Sequence, residues 1–461
     1  MSWKKTSLIL CMFGFLKEFR PSEPFVTNYL IGPWKNFTSE QVNQDIYPLG
    51  TYFNLAFLIL VFLITDFLRY KPVIVLCGLS GTITFLTLLL GKTVFEIQLV
   101  EVFYGLFLST EVAYYSYIYA AVEKTHYQKV TGFTRAAYLF GRFMSGLVAQ
   151  WNTSFGILDY EQLLYLTISA LAFSAAWAFL LPSVNKSVYF HRISNTDVLP
   201  LPNNLQADGK SDITYVPNDQ SRKTKPILLK LKNAYLLLWK DFLRAYTNIH
   251  VAKWSLWWAF ATCGYVQVAS YIQLIWESAV EGKHVNIYNG AVEALYTIIG
   301  AAAVFGVGAL RVNWPLLGEI TLSIFSFIEG ILLFVSFESH NIWILYAVYI
   351  AFGVIYHTVI TVASFEVAKH LSDDSYSLIF GINTFLALAL QSLLTVIVAS
   401  GTIFSLDIRQ QYLVYSGCFA VLGLIFMLMA FVTITKFCRE GKKFKIWLEP
   451  TIDRSLSSSQ S

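Results

Sequence analysis

Apolar stretches of helical length recur along the whole 461-residue chain, near 7–30, 48–67, 73–91, 97–121, 132–151, 162–182, 253–276, 287–310, 316–337, 342–368, 376–400 and 411–435. A helix that crosses a bilayer needs about 20 apolar residues, so twelve take roughly 240. Backbone groups in lipid must be bonded internally, which a helix does within one segment. A membrane β-barrel is excluded because the runs do not alternate polar and apolar residues. The sequence therefore predicts an all-α membrane protein of twelve helices in two six-helix bundles. The expected organisation is an N-terminal bundle over 1–182, a cytoplasmic linker over 183–252, a C-terminal bundle over 253–436 and a cytoplasmic tail over 437–461.

Charged residues make up only 13% of the chain, against about 25% in soluble domains. Disorder, collagen and coiled coil are excluded on the same grounds. Cys11, Cys77, Cys263, Cys418 and Cys438 show no spacing of a zinc site or a disulfide framework. No phosphate loop, nucleophile–base pair or metal cluster stands out, so neither an enzyme nor a cofactor is expected. A net charge of +4 gives no reason to expect nucleic acid. The run at 7–30 is read as a span rather than a cleaved leader, because Lys17, Glu18, Arg20 and Glu23 interrupt it and no small-residue cleavage site follows.

Lysine and arginine set the orientation. With both termini cytoplasmic, the inner segments hold 25 of the 33 basic residues. The outer segments hold four: Lys35, Lys92, Lys283 and Arg409. Glycosylation sequons begin at Asn36 and Asn152, both on predicted outer loops, while the match at Asn185 falls inside and should stay bare. The first part of the linker is polar. In its second part Ile227, Leu231, Tyr235, Leu238 and Phe242 recur at helical spacing beside Lys225, Lys230, Lys232 and Lys240. That pattern suits a basic amphipathic helix on the inner membrane face, or a plain connector between bundles.

Ionisable groups within lipid are costly and usually face a cavity. The first span carries Lys17, Glu18, Arg20 and Glu23 with Pro21 and Pro24, and two prolines so close break a helix. Freed backbone groups then need a polar lining, an arrangement common at transporter substrate sites. Further acids are Glu101, Glu111, Glu293, Glu319, Glu329 and Glu366, with Arg135, Arg142 and His357 beside them. Arg20 with Glu23, or Arg135 with Glu111, would lock helices together. Acids left without a cation would favour a cationic substrate. Tyr104 lies one turn after Glu101, which puts a ring and a carboxylate on one helix face. Aromatic faces attract desolvated cations, so the pair suits a flat, positively charged heteroaromatic compound.

Asp66-Phe67-Leu68-Arg69-Tyr70-Lys71-Pro72 closes the second span and resembles the loop signature of the major facilitator superfamily. Blocks between residues 20 and 385 resemble the reduced folate and thiamine carrier family of solute carriers. They are Arg20-Pro21-Ser22-Glu23-Pro24-Phe25, Glu111-Val112-Ala113-Tyr114-Tyr115, Trp254-Ser255-Leu256-Trp257-Trp258-Ala259, Tyr288-Asn289-Gly290-Ala291-Val292-Glu293 and Phe380-Gly381-Ile382-Asn383-Thr384-Phe385.

The resemblance implies a plasma-membrane vitamin carrier working by alternating access. Folate-carrying members resemble this chain but hold Arg where Glu111 and His357 stand, and Lys where Gln391 stands. Thiamine-carrying members have Glu and Gln at the first and last, as here. By resemblance the substrate contacts are Glu23, Tyr47, Glu101, Tyr104, Glu111, Glu293 and Gln391, while Asp66, Arg69, Arg135 and Arg142 have gating or structural roles. The chain departs from the thiamine pattern at Gly50, Phe85, Arg142 and Ser270, where Trp, Trp, Tyr and Asn are expected. Gly50 is expected to enlarge the cavity. Thiamine import is the leading expectation, with protons as a coupled ion or with no coupling. A reduced folate or pyridoxine carrier, or a receptor that has lost transport, are the alternatives.

Overall fold

A computed structural model of the chain describes residues 3–65, 68–122, 126–184, 236, 239–240, 242–281, 286–308, 313–371, 376–399, 404 and 406–440. The helices fall where the apolar runs predict. They are α1 (Trp3–Glu18), α2 (Val26–Ile31), α3 (Tyr47–Thr65), α4 (Lys71–Leu90), α5 (Val94–Ala121), α6 (Tyr127–Ser154), α7 (Tyr160–Ala178), α8 (Ile249–Val280), α9 (Asn289–Gly308), α10 (Trp314–Glu338), α11 (Ile342–Lys369), α12 (Tyr376–Val398) and α13 (Ile408–Arg439). Among the described residues seven helices are long and apolar enough to cross a membrane by length and composition alone. The expectations for Asp66, Asn185 and residues 225–235 of the linker lie outside the described residues.

Helix starts on the face away from the termini carry strong local signals. Thr93 with Glu96, Asp159 with Gln162, and Asp407 with Gln410 form reciprocal capping boxes at α5, α7 and α13. The first span breaks where its prolines stand. α1 ends at Glu18, Glu23–Phe25 forms a 3₁₀ turn, and α2 resumes at Val26. Pro21 and Pro24 donate no hydrogen bond, so the backbone here is bonded by other helices. Arg20 N donates to Ser145 Oγ (3.0 Å), Ser22 N to Thr167 Oγ1 (3.1 Å) and Thr27 N to Gln273 Oε1 (3.0 Å). Gln273 Nε2 donates back to Glu23 O (2.8 Å), and Asn289 Nδ2 to Pro24 O (3.0 Å). The predicted polar lining of the broken segment is thus supplied by α6, α7, α8 and α9.

Two large hydrophobic cores result among the described residues. One packs Phe13, Cys77, Phe107, Tyr114 and Leu171, the other Trp257, Tyr296, Phe352, Tyr412 and Phe426. The halves meet mainly through α6 against α9 and α3 against α12. α6 approaches α9 closely because both are glycine at the crossing. A Cβ on Gly146 would lie 2.5 Å from the Gly290 carbonyl oxygen, which backbone cannot yield. Small residues at such crossings let helices pack where lipid supplies no hydrophobic drive. Among the described residues, the hydrogen bonds joining the halves lie at the level of the broken segment or between it and the face away from the termini. Asn28 Nδ2 donates to Glu277 Oε2 (2.6 Å), Gln150 Nε2 to Ile287 O (3.1 Å) and Gln411 Nε2 to Asn43 Oδ1 (3.3 Å).

Candidate functional site

A cavity of about 300 Å³ opens beside the break in the first span and is walled by both halves. All seven residues that the resemblance assigns to substrate contact line it: Glu23, Tyr47, Glu101, Tyr104, Glu111, Glu293 and Gln391. Gly50, Phe85, Arg142 and Ser270, the four departures, line it too. Of the gating candidates among the described residues, Arg142 alone lines this wall. Arg69 sits exposed in the turn before α4 with a φ of 60°, and Arg135 is exposed on α6. Asn36 is exposed, whereas Asn152 is half-buried within α6 and donates to Val148 O (2.8 Å).

The acids differ in what they touch. Glu23 Oε1 lies 3.0 Å from Arg20 Nη1 and accepts from the Tyr104 hydroxyl at 3.0 Å. Glu111 Oε1 lies 2.7 Å from Lys17 Nζ. The pairing of Glu111 with Arg135 considered from the sequence is therefore corrected. Lys17, 1% exposed, reaches α5 from α1 and bonds Glu18 Oε1 at 2.8 Å as well. Glu293 Oε2 lies 3.4 Å from Arg142 Nη2, and its Oε1 accepts from the Tyr349 hydroxyl at 3.1 Å. Glu101 stands apart: among the described residues neither a hydrogen bond nor an ion pair reaches its carboxylate.

That carboxylate lies against Gly50. A Cβ at position 50 would collide with Glu101 Oε2. The expected enlargement of the cavity at Gly50 is corrected accordingly, because the Glu101 carboxylate occupies the space a side chain would have taken. Gln391 Nε2 approaches Thr51 Oγ1 at 3.4 Å, linking α12 to α3. Glu329, expected with the other membrane acids to face a cavity, is instead fully buried within the C-terminal half, away from this wall. His357 stands behind the wall, 3.1 Å from the Tyr265 hydroxyl.

Around the cavity the cations Lys17, Arg20 and Arg142 face the carboxylates Glu18, Glu23, Glu101, Glu111 and Glu293. Carboxylates exceed cations by two, in a setting where water screens poorly. Such a wall attracts a cation and repels a dianion. Sequence reasoning missed Tyr265, Gln273 and Tyr349 as wall residues. Tyr265, Ala269 and Gln273 recur at four-residue steps and so share one face of α8, whose two polar members were a legible hint of a cavity face.

Comparison with known proteins gives concordant likenesses. The family model described as reduced folate carrier matches residues 1–414. Thiamine transporter 1 of Homo sapiens is 41% identical over 461 residues, covering 95% of this chain and 92% of that protein. The reduced folate transporter of Homo sapiens is 32% identical, covering 95% of this chain and 74% of its own length. Among solved structures, a POT family transporter bound to a thioalcohol-conjugated peptide aligns with a TM-score of 0.61 at 11% identity, covering 95% of this chain and 97% of that one. At that identity the likeness speaks for the fold alone, which is of the major facilitator type.

Proposed function

Since the chain belongs to the reduced folate carrier family, we propose that it carries thiamine across the plasma membrane by alternating access of its two halves around this cavity. The observation that carries the reading is the surplus of carboxylates in the wall, with Glu101 unpaired among the described residues beside the Tyr104 ring. A carboxylate bonds an aminopyrimidine, and an aromatic face holds a positive ring. A folate dianion would meet net negative charge in a poorly screened site. Glu23, Tyr47, Glu111, Glu293 and Gln391 complete the wall around the cargo.

In this reading the termini are cytoplasmic, Asn36 and Asn152 face outward, and the bonded outer side is the closed door of an inward-facing state. The turn at Arg69 belongs to the opposite door, and Asp66 is proposed to gate it. Uptake of labelled thiamine and labelled folate into one expressing cell line, with surface expression measured in parallel, tests the proposal. Thiamine should accumulate above mock-transfected cells and be competed by unlabelled thiamine. Preferential folate uptake, or competition by pyridoxine in place of thiamine, overturns it. An imposed pH gradient that leaves the rate unchanged would identify the movement as facilitated rather than proton-exchanging.

A further inference from the structure

We propose that Arg142 is a specificity-determining residue: a tethered guanidinium that seats itself on Glu293 and leaves the cavity one place for a cargo's positive charge, at Glu101. The inference rests on the thiamine-carrier reading and refines it. Both oxygens of Glu293 are engaged from within the protein, Oε2 by Arg142 Nη2 at 3.4 Å and Oε1 by the Tyr349 hydroxyl at 3.1 Å. The same guanidinium lies 5.7 Å from the centroid of the Tyr296 ring, within cation–π range. Tyr296 is itself held by the Tyr265 hydroxyl at 3.2 Å.

The C-terminal wall thus already holds, on the protein's own side chain, the carboxylate and the aromatic face that a cationic ring would seek. Arg142 stands on α6 and Glu293 on α9, so the contact also ties one half to the other. With 26% of its side chain exposed, the guanidinium is reachable from the cavity. A second positive group on a cargo would meet this guanidinium before it met Glu293. The Glu101 carboxylate has no such occupant among the described residues. The cargo's positive group is therefore recognised at the Glu101 end of the cavity.

Equilibrium binding of labelled thiamine to the purified full-length protein in detergent tests this with Arg142→Gln, Glu293→Gln and the double variant. Glu293→Gln alone should weaken binding about tenfold, because it strips the Arg142 guanidinium of its carboxylate and leaves an unmatched cation facing the cargo. Arg142→Gln should tighten binding about tenfold, by opening a second carboxylate to the cargo. Adding Glu293→Gln to Arg142→Gln should abolish the gain. An unchanged or weaker affinity in a folded Arg142→Gln protein overturns the inference. If Arg142→Gln does not fold, the double variant decides: binding near the wild-type level supports the inference, and binding as weak as that of Glu293→Gln overturns it. A wild-type protein that binds folate and not thiamine would overturn the carrier reading and this inference together, whereas a thiamine-binding wild type whose double variant stays as weak as Glu293→Gln overturns the inference alone.

Discussion

The two walls of the cavity hold the same residue types in different states of satisfaction. On the N-terminal wall, Lys17 and Arg20 each bridge two of the carboxylates Glu18, Glu23 and Glu111, one charge short of balance, and Glu101 is left with no such partner among the described residues, against Gly50. On the C-terminal wall, Glu293 is matched by Arg142 and Tyr349. A tally of acids therefore overstates the places for a cation. What matters is which carboxylate still lacks an internal partner, because in a poorly screened site a matched pair exerts little net pull on a third charge.

The largest effect expected from breaking this contrast is on stability. Lys17→Met should leave Glu111 without its cation and the buried Glu18 with Arg20 alone, and removing one partner of a buried pair costs about 3–5 kcal/mol. Thermal unfolding of the purified protein should shift down markedly, and Glu111→Gln in the same background should restore part of the loss. A Lys17→Met protein as stable as the wild type would mean the chain of pairs is idle. Glu111→Arg, which sets a second cation beside Lys17, should reduce surface expression more than Glu111→Gln does.

Next in size is Glu101→Gln, which keeps the shape and removes the charge. Losing one partner of a buried charged contact costs about 2–5 kcal/mol, so thiamine affinity should fall at least about tenfold with surface expression retained. Normal uptake by this variant would make Glu101 a packing residue. Gly50→Ala should have a smaller effect, about threefold in affinity, because the new Cβ displaces the Glu101 carboxylate without removing it. Pairing it with Glu101→Gln sharpens the point: the two losses should not add, since both act through one carboxylate. Tyr349→Phe sits at the bottom of the order. It removes one bond to a carboxylate that Arg142 still holds, and thiamine binding should change by less than about twofold.

Much of the architecture was legible in the residues because it is local. Apolar runs place the helices, Pro21 and Pro24 place the break, and the three-residue spacing of Glu101 and Tyr104 places them on one face, since hydrogen bonds within a helix set that geometry from nearest neighbours. The assignment of partners was not legible. Lys17 rather than Arg135 meets Glu111, Arg142 meets Glu293 across 151 residues of sequence, and Gly50 on α3 receives the carboxylate of α5. Spacing along the chain says nothing about such meetings. They depend on which helix faces approach, and glycines such as Gly146 and Gly290 set that approach where the two halves cross. The sequence determined by itself that the chain is a bundle of membrane helices broken at a polar segment. Only the tertiary structure decided which of its charges remains open to a ligand, because buried charges find partners through packing in space rather than through order along the chain.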